Sequence, residues 1–563
     1  MTPIVSSRPP ALLQTAELPS TPSHREISPE SLRIPRREII VRTLALSRRR
    51  LLAGVPAVSL AAGLTSRRLP SISAQEATPQ MPPLLPTAQW QFYGSDISGS
   101  RSIGSTLEAA TASGLQQFWS LPVGGPVSAT PVIADGVAYV GSYDGNLYAI
   151  ELSTGKVPWI YATGAAVPEP NLGIPLGITG SAAIESGIVY VGDAGATVHA
   201  VDVASGQPVW TANVDDQESA SIWSSPVVWN GVLYVGVASI AKEAGFRGSV
   251  VALDAASGET AWQTYMVPEG ADGAGVFDVP AIDPDRNLVI VGTQNAYTES
   301  PAPYGNPTSV VALDATSGEM RWAFDAPPND GTTAPVDDVA FSASPNLFSI
   351  DQDGGTLDLV GIGQKSGVYW ALNRDTGAVV WQQQISPAGF LGGMEGTAAV
   401  SSGVIAVPAT NWPNFDGPAS GMVTALDAAT GDILWTTEET APAASPTSIT
   451  NDVVLHAGLD GILHLFSLAD GSEIWRNDLG ASVSSGIAAT DGYVVLGVGT
   501  PQFAPFVKTG NTIRGFILGI PSASPVASPV ASPAVEVITV PTETPADTAS
   551  PSPVAWGGPA ERT

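Results

Sequence analysis

From about residue 90 to residue 520 the chain runs in short bursts of alternating apolar and polar positions, as at Tyr148 and Ile150 or Val251 and Leu253. A period of two over five or six residues predicts a β-strand. Each burst stops at a corner rich in Gly, Asp, Ser or Thr, where glycine supplies the positive φ of a tight turn. No stretch carries the 3.6-residue period of an amphipathic helix.

The bursts recur as one string. "VVALDAASGETAW" (250–262) returns as "VVALDATSGEMRW" (310–322). Related copies are "LYAIELSTGKVPW" (147–159), "VHAVDVASGQPVW" (198–210), "YWALNRDTGAVVW" (369–381), "VTALDAATGDILW" (423–435) and "LHLFSLADGSEIW" (463–475). Each copy predicts a strand, a corner ending in Gly, and a second strand carrying Trp. A further hairpin lies upstream, such as "ATPVIADGVAYVGSYDG" (129–145) with Asp135-Gly136 at its turn. About four short antiparallel strands per repeat make the blade of a β-propeller.

The repeat tryptophans count the blades. Trp159, Trp210, Trp262, Trp322, Trp381, Trp435 and Trp475 give seven. Trp119 supplies an eighth outer strand without its own preceding turn, while the strands expected at 483–499 and 512–519 lack a Trp. The expectation is an all-β, eight-bladed propeller spanning 90–520, with one blade closed by strands from both ends of the domain. Closure removes the sheet edges that invite aggregation.

Composition agrees: 59 Gly and 49 Pro suit a turn-rich chain, and 13% charged residues argue against long exposed helices. The net charge is −29. Residues 1–74 hold 11 of the 23 basic residues and 4 of the 52 acidic ones, leaving 12 basic against 48 acidic for the remainder. So acidic a body repels phosphate backbones, which excludes nucleic acid as an expected partner. With no cysteine, this chain has no disulfide, thiolate metal site, Cys nucleophile or Cys-linked haem.

The ends read differently. In "LSRRRLLAGVPAVSLAAGL", Arg48-Arg49 after Ser47 precede a moderately apolar run, Leu51 to Leu64, too short to span a bilayer. This resembles a twin-arginine export signal, so 1–74 is expected to be a lead segment plus signal peptide, 75–89 a linker, and the protein exported rather than membrane-spanning. Residues 521–563, a Pro/Ser/Thr/Ala tract, are expected to form a disordered tail.

The spacing Ala149, Gly155, Trp159 resembles the tryptophan-docking motif of the pyrroloquinoline quinone (PQQ) propellers, the family of quinoprotein alcohol and polyvinyl alcohol dehydrogenases. "WQFYGSDISGSR" (90–101) is similar to that family's opening segment. The resemblance implies a PQQ cofactor, a calcium ion with oxygen ligands, an alcohol substrate (small or polymeric) and a separate electron acceptor.

The resemblance also suggests site residues. "KEAGFRG" (242–248) resembles the family's Glu-x-Gly-x-Arg-Gly stretch, making Glu243 a calcium ligand. In "VFDVPAIDPDRNLVIVGTQNAY" (276–297), Asn295 matches the amide ligand and Phe277 the Trp that floors the quinone ring; Phe keeps the aromatic face with less area. Lys365, one of only four lysines, resembles the basic residue that contacts the quinone oxygen.

"VDDVAFSASPNLF" (336–348) resembles the segment carrying the catalytic aspartate, but the aligned position holds Ala340. Asp338 is then the nearby stand-in for base and metal ligand. The same repeat also occurs in non-catalytic cell-envelope scaffolds, so a binding or assembly propeller is the alternative expectation. "DQDGGTLD" (351–358) reads as an inter-strand turn. The four histidines (24, 199, 456, 464) are expected to form no close cluster, with His199 and His464 packing in repeat strands.

Overall fold

The computed structural model describes residues 88–169, 173–239, 245–295, 308–326, 339–352, 354–389, 392–412, 418–501, 504, 506–519 and 537–539. Among them, eight sheets, each built on four antiparallel strands and three of them carrying a fifth, form eight blades, with a separate two-stranded sheet, one 3-10 turn, Ala112–Gly114, and no α-helix. Blade 1 comprises Val132–Ala134, Val137–Gly141, Asn146–Glu151 and Trp159–Ala162, from the innermost strand outward. Blades 2 to 7 follow at residues 183–213, 227–265, 281–325, 346–384, 399–439 and 448–478. Blade 8 takes Ile487–Thr490, Tyr493–Val498 and Thr512–Leu518 from the far end and its outermost strand, Leu115–Pro122, from the near end. The two-ended closure expected from Trp119 is present.

Local chemistry sets the hairpins. Asp135-Gly136, Ser186-Gly187, Asn230-Gly231 and Ser402-Gly403 each place two successive residues at positive φ, as a two-residue type I′ turn requires. The "DQDGGTLD" segment joins Asn346–Gln352 to Gly355–Gly363, which pair antiparallel.

Tryptophan locks one blade to the next. The indole N–H of Trp262 donates to the Ala315 carbonyl at 3.1 Å, and its ring covers Gly318. The same pair of contacts joins Trp119, Trp159, Trp210, Trp322, Trp381 and Trp435 to the blade that follows. A Cβ on any of the seven covered glycines would stand 2.5–2.7 Å from the ring. The eighth joint differs. Trp475 meets Phe516 edge-on at 6.1 Å, and Leu107, Ala112 and Leu115 fill the cluster between blades 7 and 8.

A second closure runs through the opening segment, which crosses the innermost strands in ring order. Thr490 of blade 8 donates to the Ala88 carbonyl, and Trp90 exchanges two backbone bonds with Ile133 of blade 1. Ile184, Ile282, Leu347, Val400 and Ile449 then donate to the carbonyls of Gln91, Ile97, Ser98, Ser100 and Arg101. Phe92 packs on the core of blade 3, and Ser102–Ile103 pairs in parallel with Ile449 and Thr450. Arg101 is fully buried, its guanidinium 4.5 Å from the Tyr93 ring centroid and donating to the Tyr93 and Thr447 carbonyls and to Ser448 Oγ. Burial lowers its pKa to about 10.

The histidines require a correction. His456 and His464 face each other across a hairpin, because a tight turn brings residues eight apart into register. His456 Nδ1 lies 2.7 Å from Glu439, and His464 contacts both Asp460 and Glu473. His199 packs in its strand as expected, buried and bonded to Asp193 at 2.9 Å.

The lead segment, the signal and nearly all of the linker lie outside the described residues. So does most of 521–563. Its described piece, Val537–Thr539, runs parallel to Trp159–Ala162.

Candidate active site

Strand direction puts two kinds of loop on one face of the ring: the turns between second and third strands, and the segments that lead from an outermost strand into the next innermost one. Phe277, Ala340 and Lys365 belong to these loops in blades 4 and 5, and Asn295 to the turn of blade 4. Glu243 and Asp338 lie outside the described residues, as does Asp337. The described chain beside them, Ser239, Gly245 and Val339, reaches the same face.

A continuous set of hydrogen bonds joins these loops. Asn295 accepts from Ala274 N at 3.0 Å, and Gln294 donates from its backbone to Gly275 and from its side chain to Ser342 Oγ. Phe341 N donates to the Thr293 carbonyl, and Lys365 N to the Ala340 carbonyl at 3.0 Å. Met394 N donates to the Gln364 carbonyl. Phe277, Asn295 and Lys365 are therefore held in adjacent loops.

The leading segments repeat a packing rule. Gly141, Gly192, Gly236, Gly292, Gly363 and Gly497, near the ends of second strands, each bear the side chain of one residue from the following leader: Ile178, Ile222, Val276, Phe341, Met394 and Val127. A Cβ on these glycines would fall 2.3–2.8 Å from that side chain. The next residue in each leader is Thr179, Trp223, Phe277, Ser342, Glu395 and Ser128, so these six hold equivalent positions.

Trp223 and Phe277 occupy neighbouring positions of that set and pack with ring centroids 5.6 Å apart and planes 31° apart. The two rings form one aromatic pair, of which the sequence analysis singled out Phe277 and missed Trp223. The Trp223 indole N–H is buried with no partner among the described residues. Asp278, the residue after Phe277, accepts from Gly292 N at 2.6 Å while its other oxygen has no partner among the described residues. Burial raises the Asp278 pKa well above the usual carboxylate value, which favours a neutral acid there.

Lys365 is buried with its Nζ 3.7 Å from Glu395 Oε1. Ala340 is fully buried. Asn295 Oδ1 accepts weakly from Thr308 Oγ1 at 3.4 Å. Two further residues that the sequence analysis missed are Asn411, which ends the second strand of blade 6, and Trp412, which follows it as Asn295 and Lys365 follow theirs; Trp412 is buried edge-on to Phe506 at 5.1 Å. The signal available in the sequence was their place in the repeat, since they follow "VIAVPAT" where Thr293-Gln294-Asn295 follow "NLVIVG".

An aromatic floor, an orphaned indole N–H and a buried ammonium fit a flat, polycarboxylic quinone. The cation is less completely provided for. Among the described residues no group of three or more His, Asp or Glu side chains is placed to hold a metal ion.

A ring of eight four-stranded blades locked by Trp on Gly, with this floor beside a buried lysine, is a tryptophan-docked propeller of the quinoprotein type. The chain belongs to the PQQ family described as the glucose/ethanol/alcohol dehydrogenase β-propeller domain, whose model matches residues 90–397. A second model, described as the outer membrane protein assembly factor BamB, matches residues 364–462. The chain is 28% identical over 464 residues to the polyvinylalcohol dehydrogenase of a Pseudomonas species, covering 73% of this chain and 71% of that protein. It is 27% identical over 449 residues to the polyvinylalcohol dehydrogenase of Sphingopyxis sp. (strain 113P3), covering 70% and 67%. The crystal structure of quinohemoprotein alcohol dehydrogenase from Comamonas testosteroni superposes with a TM-score of 0.67 at 21% identity, over 79% of this chain and 83% of that one, which establishes the shared fold.

Proposed function

We propose that the chain is an exported PQQ- and calcium-dependent dehydrogenase that oxidises alcohols, polymeric ones included, and passes electrons to a separate carrier. The observation that carries this reading is the Trp223–Phe277 floor held in the same run of loops as Lys365. The names of the polyvinylalcohol dehydrogenase relatives support the substrate class. Among the described residues no helix is long and apolar enough to cross a membrane.

In this reading Phe277 and Trp223 carry the quinone plane, and Lys365 stands at a quinone oxygen. Glu243 and Asn295 hold the cation, with Asp338 as a further ligand by resemblance. When bound, the quinone supplies a hydride acceptor and the calcium ion polarises its carbonyl. The protein's part is to orient the alcohol, exclude water and accept the hydroxyl proton. The position that resembles the family's catalytic aspartate holds Ala340, which cannot perform that last task, and Asp338 is its nearby stand-in.

Ala340 and the assembly-factor match favour a second reading, a cell-envelope binding scaffold. Dye-linked oxidation of alcohols by the full chain, reconstituted with quinone and calcium, separates the two. Turnover that collapses in Phe277→Ala supports the dehydrogenase; quinone-independent capture of an envelope protein with no turnover supports the scaffold.

A further inference from the structure

We propose that Glu395 accepts the alcohol proton, taking the role that Ala340 cannot. This rests on the dehydrogenase reading above. Three observations point to Glu395. It holds in blade 6 the leader position that Phe277 holds in blade 4 and Trp223 in blade 3, fixed in each case by the preceding residue packing on a second-strand glycine: Met394 on Gly363, Val276 on Gly236, Ile222 on Gly192. Two neighbouring members of the set, Trp223 and Phe277, meet ring to ring. Among Ser128, Thr179, Trp223, Phe277, Ser342 and Glu395 it is the only acid.

Its neighbourhood suits the task. Oε1 lies 3.7 Å from the Lys365 ammonium, and a cation at that distance stabilises an anionic carboxylate. The side chain is 26% exposed, against 9% for Lys365, so it opens outward from the buried lysine. The backbone is held on both sides: Met394 N donates to Gln364, and Gly393 pairs with Thr410 and packs on the Lys365 carbonyl, where a Cβ would stand 2.2 Å away. Lys365 N in turn donates to the Ala340 carbonyl, which places Glu395 one loop from the vacant acid position.

The step balances with the quinone as oxidant. The O–H bond breaks and its proton goes to Glu395, the carbinol C–H bond breaks and its hydride goes to the quinone, and the C=O double bond forms. Positioned general bases contribute about 10²–10⁴-fold to rate.

The test is Glu395→Gln in the full chain, with quinone affinity read by quenching of tryptophan fluorescence beside kcat in the dye-linked assay. Expected are a quinone Kd within about threefold of wild type, a kcat lower by about 10²-fold or more, and partial rescue of Glu395→Ala by added formate. Full kcat in Glu395→Gln overturns the assignment, as does a loss confined to quinone binding. A rate loss carried by Asp338→Asn while Glu395→Gln keeps its rate gives the proton to Asp338 and overturns it too. Wild-type protein that binds quinone yet oxidises no alcohol removes the dehydrogenase reading and this assignment together.

Discussion

Gly206 and Gly187 separate the contact that locks the ring from the backbone cost of a turn. Both have positive φ, 69° and 80°. A Cβ on Gly206 would stand 2.6 Å from the Trp159 ring, whereas a Cβ on Gly187 meets nothing within 4 Å. Gly→Ala at either site forces a side chain into the left-handed region, costing about 1–2 kcal/mol. It also removes unfolded-state freedom, which offsets about 0.4–1 kcal/mol equally in both. Only Gly206→Ala adds a steric conflict with a packed indole, about 1–3 kcal/mol by the usual cost of overpacking. The expected order is therefore a small loss for Gly187→Ala and a loss larger by about 1–3 kcal/mol for Gly206→Ala. Guanidinium unfolding of the two variants, followed by tryptophan fluorescence, measures the difference as a shift in midpoint. Equal midpoints would refute the claim that glycine under tryptophan locks adjacent blades.

Other consequences are equally open to measurement. Burial alone would lower the His464 pKa, but hydrogen bonds and charge from Asp460, Glu439 and Glu473 outweigh it and raise the value. The stability this histidine contributes is thus fully present below about pH 6.5 and lost as pH rises through its raised native pKa. Unfolding midpoints across pH 5–9 should fall more steeply in wild type than in His464→Gln; parallel curves contradict this. Arg101→Ala removes three hydrogen bonds from the closure made by the opening segment and a cation–π contact worth up to about 2 kcal/mol when desolvated. It should make the segment before Ser102 open to protease while blades 2 to 6 stay resistant, and an unchanged digestion pattern would count against that closure.

The blade count was legible because each repeat is local. A strand, a Gly corner and a Trp within thirteen residues leave a pattern that needs no partner to be read, as at 250–262. The eighth joint was less legible, since Trp475 meets Phe516 and the Ala112–Gly114 turn rather than a glycine. The ring of bonds from Ala88 to Ile103 was not legible at all. It is made almost entirely by backbone groups, which carry no residue signature. Phe277, Asn295 and Lys365 were singled out by motif, and the loops that carry them are adjacent. Glu395 was missed because its equivalence to Phe277 lies in packing register, Met394 on Gly363, and the two leaders share no sequence pattern. Glu243 and Asp338 lie outside the described residues, so their places stay with the resemblance.

Equilibrium titration of the full chain with PQQ, in the presence and absence of calcium, tests the central claim most directly. Quenching of the Trp223 environment and the quinone's own absorbance report binding without requiring turnover. The account predicts saturable one-to-one binding that strengthens with calcium and weakens at least tenfold in both Phe277→Ala and Lys365→Ala, about 1.4 kcal/mol or more each. Absence of saturable binding, or binding indifferent to both substitutions, would contradict it.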